Sequence, residues 1–264
     1  MTKPTKIAEQ PLVSIITPLY NAHEFITQTI ESIQAQTYQN WEQIIVDDLS
    51  TDNSVAIVKE MAAKDARIRL ITLTRNCGAA EARNKATELA SGDYIAFLDA
   101  DDCWHPEKLE KQIAFMHANN CDVSFTSYVQ IDESSNPMGK RVKALPTLSY
   151  SKQHLNNYIG NLTGVYKAAQ IGKIIAPSIR KRQDWAVWLE AIKKSGKPAL
   201  GLQEDLAYYR IRSGSISANK FNLVKYNFQF YRTYLGYSWF KSAICLLRFF
   251  WEYFFIRPKY IETY

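Results

Sequence analysis

The sequence predicts an α/β fold: a mostly parallel, doubly wound sheet followed by a C-terminal helical extension. Five short, apolar runs recur through the first 130 residues, and stretches of helical period separate them. Strands buried on both faces and joined by helices belong to a parallel sheet. From about residue 219 the composition turns aromatic and basic. The 264 residues suit one large domain with appended elements better than two independent domains, here residues 1–218 followed by the tail 219–264.

The first strand is Leu12–Thr17, because Val13-Ser-Ile-Ile16 is apolar and β-branched. A helix from about Glu24 to Gln36 sets Phe25, Ile26, Ile30 and Ile33 on one side. Trp41–Val46 is the second strand, Ser54–Ala63 the second helix and Ile68–Leu73 the third strand. Glu81–Ala90 is helical, with Gly92 as its stop signal. Tyr94–Leu98 is the fourth strand, Pro106 opens a helix to about Asn119, and Asp122–Val129 is the fifth strand. Regularity fades after Ile131, where residues 132–147 read as a loop or hairpin around Asn136-Pro137 and Gly139. Asp184–Lys194 is a helix, and short strands follow near Ala199–Leu202 and Leu206–Arg210. There is no internal repeat.

A hydrophobic content of 47% fills a sizeable core, and 22% charged residues argue against disorder. The net charge of +6 favours anionic partners, among which phosphorylated small molecules and an acidic membrane surface fit; no nucleic acid is expected. The runs Lys140–Lys143 and Arg180-Lys181-Arg182 read as solvated surface. Cys77, Cys103, Cys121 and Cys245 are scattered without zinc-ligand spacing and read as reduced thiols. The polar stretch Met1–Gln10 lacks the apolar core of a signal peptide, so a cytoplasmic protein is expected.

Ligands of open α/β sheets bind beyond the carboxyl ends of the strands. Two of those ends are acidic here: Asp47-Asp48-Leu-Ser-Thr-Asp52 and Asp99-Ala-Asp101-Asp102. Carboxylates gathered at one edge repel unless something positive joins them. A hard divalent cation, Mg²⁺ or Mn²⁺, takes carboxylate oxygens together with substrate phosphates. Asp99 and Asp101, two apart in an extended segment, point the same way and suit a ribose and a metal respectively. A plain alternative stands beside this: Asp102 ahead of Pro106, and Asp47, Asp48 and Asp52 ahead of Ser54, also have helix-capping positions.

Four stretches carry a family resemblance: Val13–Asn21 (VSIITPLYN), Ile45–Ser54 (IVDDLSTDNS), Asn76–Asn84 (NCGAAEARN) and Gly92–Asp102 (GDYIAFLDADD). In this order and spacing, over about residues 12–130, the chain resembles the family 2 glycosyltransferases with the GT-A fold, inverting enzymes that use nucleotide sugars. The resemblance implies that Pro18, Tyr20 and Asn21 line the nucleotide pocket and that Asp48 accepts a hydrogen bond from the base. It also implies that Arg83 sits over the ribose or diphosphate, that Asp99 holds ribose or sugar, and that Asp101 ligates a metal bridging the diphosphate. Arg83 also reads as a surface helix residue.

Sugar transfer needs a group to deprotonate the attacking hydroxyl. Arg182-Gln-Asp-Trp-Ala-Val-Trp-Leu189 resembles the family's Glu/Asp-Asp-Trp segment, which implies Asp184 as base and Trp185 as a platform for the acceptor sugar. Gln183 stands where many relatives carry an acid, leaving Asp184 as the candidate. The alternative makes Asp184 an N-cap and Trp185 and Trp188 core. Tyr209–Ser217 resembles the family's Tyr-Arg-x-His segment with Arg212 in the His position, and Arg cannot ligate a metal but suits a diphosphate. Gly214 and its serines suggest a loop that closes over the donor. The Gln/Arg-x-x-Arg-Trp segment of processive synthases is missing, so one sugar per encounter is expected.

The tail carries Lys220, Lys225, Arg232, Lys241, Arg248, Arg257 and Lys259 against Glu252 and Glu262, and residues 239–256 are apolar almost all round. Lys241, Arg248 and Glu252 share one narrow helical stripe, as on an interfacial helix whose charges stay in the headgroups, with Trp239, Trp251, Tyr253 and Phe254 at the boundary. Internal packing, a homodimer contact and a membrane span are the other readings of the same stretch. Surface docking suits a lipid-linked saccharide acceptor and a peripheral enzyme on the inner face of the cell membrane. The expected reaction is transfer of one sugar from a nucleotide diphosphate sugar, UDP favoured. A sugar nucleotidyltransferase would want a Gly-rich loop where Pro18–Asn21 stands. A receiver-like signalling domain would be about half as long, and an inactive sugar-nucleotide binder would not need intact carboxylates.

Overall fold

The computed structural model describes residues 10–179, 181–212 and 220–264. β1 (Val13–Leu19), α1 (Ile26–Gln34), β2 (Trp41–Asp47), α2 (Ser54–Lys64), β3 (Ile68–Thr72), α3 (Ala79–Leu89) and β4 (Tyr94–Phe97) alternate as the sequence predicts. The four strands are parallel in the order β3-β2-β1-β4. The chain walks from β1 outward to β3 and returns to the other side of β1, which makes the carboxyl ends of β1 and β4 a topological switch point.

The second half departs from a plain parallel sheet. β5 (Cys103–Trp104), α4 (Lys108–Ala118), β6 (Val123–Ile131), β7 (Pro137–Val142), β8 (Thr147–Leu148), α5 (Tyr150–Leu155) and β9 (Val165–Tyr166) follow. The two-residue β9 lies antiparallel between β4 and β6. After α6 (Ala168–Ile171) and α7 (Gln183–Ser195), the two short strands expected at 199–202 and 206–210 prove to be one strand, β10 (Ala199–Arg210). It runs parallel to β6 with register shifts at Asp205, so the polar Gln203-Glu-Asp205 is an irregularity within a strand and not a break. α8 (Lys220–Gln229), α9 (Trp239–Trp251) and β11 (Ile261–Thr263) complete the chain, β11 pairing with β7 at the sheet edge.

Strand alternation divides the core. Ile15 and Ile45 face a layer with Ile30, Ile33 and Leu109, while Ile16 and Ile44 face Ala82, Ala86, Trp188 and Ile192. Gly92 does not cap α3, whose C-cap is Ala90. A Cβ at Gly92 would stand 2.6 Å from the Ser14 backbone nitrogen, so close approach of two strands requires the glycine.

The tail packs on one face and is bare on the other. Trp185, Leu189, Phe230, Tyr231, Cys245 and Phe249 form a separate buried cluster that fixes the helical turn after α8, Phe230–Tyr234, and α9 to α7. Glu252 corrects the expected charged stripe: it is buried, bound to Lys152 and to the Tyr158 hydroxyl, whereas Lys241 and Arg248 are exposed. Residues 1–9, Arg180 and the expected closing loop 213–217 lie outside the described residues.

Candidate active site

Three strand ends converge. At the end of β1, Pro18 is buried in register with Val46, Tyr20 is 52% exposed, and Asn21 adopts a left-handed backbone with φ 46°. Asn21 ties the first two strand ends together, its amide donating to Ser50 Oγ (3.0 Å) and its side-chain oxygen accepting from the Thr51 amide (2.8 Å). The acids after β2 divide. Asp47 accepts from the Ser50 amide, a turn contact. Asp52 accepts from the amides of Ser54 and His23; despite burial, the Ser54 side chain, these amides and the His23 ring hold its carboxyl down to about 2. Neither caps α2 in the strict sense, since its N-cap is Asn53 with no side-chain capping bond; both acids hold backbone amides of the β2–α2 loop and the start of the helix.

Asp48, expected to accept from the base, is already held by the backbone. It is 3% exposed, and its two oxygens accept from the amides of Cys77 (2.6 Å) and Gly78 (2.7 Å). The carboxylate thereby fixes the loop that leads into α3, where Gly78 has φ 88°.

The loop after β4 is the charged centre. Asp99 Oδ1 accepts from Arg83 Nη2 (2.7 Å) and from Asn161 Nδ2 (3.1 Å). Asp101 pairs with Arg212 at 2.8 Å, and Asp102 accepts from the Arg210 amide at 2.9 Å. Burial and then Asp99 push the Asp101 carboxyl up. Burial, Asp101 and Asp99 push Asp102 well up. Burial is the larger cause of both shifts and mutual repulsion of the three carboxylates the second, each acid being met by an arginine side chain or amide. Arg83 is no surface residue. Burial opposes its charge, yet Asp99, Asp184 and Asp101 together push its guanidinium up, and its buried Nε has no partner among the described residues.

Asp184 reaches the same place from α7. The N-cap of α7 is Arg182, with φ 70° and no side-chain capping bond, so Asp184 in the first turn is not the cap. Its Oδ2 accepts from Asn157 Nδ2 at 2.7 Å, and it lines one pocket with Arg83, Asn84, Asn161 and Gln183. Trp185 does not serve as a sugar platform: it is 0% exposed, stacked on Phe230 at 4.3 Å, its indole donating to the Gln153 carbonyl. Successive helix positions point about 100° apart, so exposing Asp184 turns Trp185 inward. Arg182, read as solvated surface, is half-buried and bonded to Asn227 at 2.7 Å.

Sequence reasoning missed Asn157, Asn161 and the role of Arg210. The asparagines lie in Asn156–Asn161, which has no motif to mark it. Arg210, 3% exposed, donates to the Asp101 carbonyl, to the Asp132 and Glu133 carbonyls and to Gln28, sewing the acidic loop to the β6–β7 hairpin. Among the described residues no three potential metal-ligating side chains cluster. Asp99 and Asp101 carry the hard oxygens that would suit a Mg²⁺ or Mn²⁺, each being paired with an arginine here.

Residues 14–172 match the model of glycosyl transferase family 2. TuaG of Bacillus subtilis, named for teichuronic acid biosynthesis, is 43% identical over 240 residues, covering 91% of this chain and 95% of TuaG. WfgD of Escherichia coli, named a UDP-Glc:alpha-D-GlcNAc-diphosphoundecaprenol beta-1,3-glucosyltransferase, is 41% identical over 214 residues, covering 81% of this chain and 83% of WfgD. Among solved structures, S. aureus TarS 1–349 in complex with UDP-GlcNAc superposes with a TM-score of 0.72 at 20% identity, covering 95% of this chain and 74% of that one, and shares its fold.

Proposed function

The chain belongs to glycosyl transferase family 2, and from that premise we propose that it inverts the donor's anomeric carbon, moving one sugar from a UDP-sugar to a hydroxyl of a lipid-linked saccharide used for surface polysaccharide. The supporting observation is the half-buried Arg83, hydrogen-bonded to Asp99 and within the field of Asp184 and Asp101. A diphosphate beside Arg83 meets an unpartnered Nε–H, and the Arg83–Asp99 pair positions the donor. Across the pocket, Asp184, held by Asn157, takes the proton of the acceptor hydroxyl as it attacks the face opposite the leaving group. Asp101 and Asp99 would hold Mn²⁺ or Mg²⁺, which when bound offsets charge on the departing diphosphate. Arg212, paired with Asp101 at 2.8 Å, adds a second protein cation to Arg83 on the diphosphate side. Donor hydrolysis across UDP-glucose, UDP-galactose and UDP-GlcNAc tests this: turnover is expected with Mn²⁺ or Mg²⁺ and lost with chelator. Turnover that survives chelation defeats the cation, and transfer with retained anomeric configuration defeats inversion.

The tail supports docking to an anionic membrane surface on the cytoplasmic side. Phe240, Leu247, Trp251 and Phe254 are 61–71% exposed along the outer face of α9 and the turn after it, beside exposed Lys241 and Arg248. Among the described residues no helix is long and apolar enough to cross a membrane. Co-sedimentation with phosphatidylglycerol vesicles is expected, and replacing Leu247 and Trp251 together by Glu removes about 3 kcal/mol of burial or more, at least about a hundredfold in partitioning. Equal pelleting of that variant and the native protein would overturn membrane docking.

A further inference from the structure

We propose that Arg182 and Arg257 form the seat for a phosphate on the acceptor, at the seam between α7 and the tail. The proposal rests on Asp184 being the acceptor's base and adds the acceptor's chemical class: a saccharide whose first sugar is joined directly to phosphate on a lipid.

The two arginines arrive from different parts of the chain and flank the same carboxylate. Arg257, in the turn after α9, donates through Nη1 to Asn156 Oδ1 at 2.9 Å and to the Asn157 carbonyl. Asn157 then donates to Asp184, so one residue links Arg257 to the base. Arg182 stands two residues before Asp184, held by Asn227 Oδ1 from α8 and lying 5.9 Å from the Trp185 ring. Its left-handed backbone, φ 70° in a residue other than glycine, is an uncommon conformation kept at this point of the chain.

Both side chains are oriented by neutral groups. Their hydrogen bonds to the asparagines are not charge-neutralising, and among the described residues neither arginine is ion-paired with a carboxylate. Burial pushes the Arg182 guanidinium down and Arg257 pushes it the same way, against Asp184. Two forks of one sign, partly dry and pre-oriented, match phosphate oxygens better than any neutral ligand. The position is also right for the reaction. A sugar presenting a hydroxyl to Asp184 carries its anomeric oxygen about one ring away, and Arg257 stands in the chain shortly after α9, whose Leu247 and Trp251 and the following Phe254 are exposed for a lipid. Donor phosphates have their own cation at Arg83, which lines a pocket with Asp184 that neither Arg182 nor Arg257 lines.

The test uses the full chain with the donor site filled by uridine diphosphate and Mn²⁺. Calorimetric titration with farnesyl diphosphate is expected to show binding that weakens about tenfold or more in Arg182→Gln and in Arg257→Gln, and that Arg257→Lys partly restores. Circular dichroism and uridine diphosphate affinity report whether each variant keeps its fold. In transfer assays of Arg182→Gln, KM for GlcNAc-diphosphoprenol should rise with kcat little changed, while transfer to an octyl glycoside without phosphate should not differ from the native protein. Unchanged farnesyl diphosphate affinity in both variants overturns the proposal. So does a loss confined to pelleting with phosphatidylglycerol vesicles, which would make the pair a headgroup contact. If Asp184→Asn still transfers normally, the base assignment fails on its own, whereas the diphosphate titration does not depend on it.

Discussion

Asp184→Asn is expected to slow sugar transfer about 10³-fold while uridine diphosphate binding stays near its native value. General-base catalysis contributes about 10²–10⁴ in rate, and 10³ corresponds to about 4 kcal/mol. The amide keeps an oxygen for the Asn157 Nδ2 donor, so the start of α7 is preserved and only the proton acceptor is lost. Single-turnover transfer compared with equilibrium donor binding separates the two. A variant that transfers within about threefold of the native rate would place the base elsewhere.

Asp101→Asn is expected to cost about 10²–10³ in donor turnover, the usual scale for losing one electrostatic contact to developing charge. Its effect on the fold should run the other way. Burial and Asp99 already disfavour the Asp101 carboxylate, and Asp101 in turn raises Asp102. Removing that charge relieves repulsion and gives up only a partly exposed pair with Arg212. The melting temperature at neutral pH should therefore stay level or rise as activity falls, a site that trades stability for function. A melting temperature that drops along with activity would mark Asp101 as a structural anchor instead.

The donor half was legible because its signals are local. Apolar runs such as Val13–Ile16 specify strands, but β4 ends at Phe97 and Asp99–Asp102 form a turn closed by the Asp102 amide on the Asp99 carbonyl, so the extended alternation expected of Asp99 and Asp101 is not what the chain adopts. The acceptor half was not. β9 is two residues long and β10 carries irregularities at Asp205, so neither offers a run from which a period can be read. Trp185 shows the same limit within one helix. Its motif says aromatic beside acid, but the stack on Phe230 depends on a segment 45 residues away.

By itself the sequence determined the parallel half of the sheet, the acidic strand ends, the family resemblance and the candidate base. The tertiary structure decided how those groups are spent: Asp48, Asp47 and Asp52 on backbone amides, Asp99, Asp101 and Asp184 around Arg83, Trp185 in the core, and one face of the tail on α7. A residue type and its spacing fix which hydrogen bonds and charges are available. Which of them are used depends on burial and on partners distant in the chain, and those exist only once the strands and helices have packed.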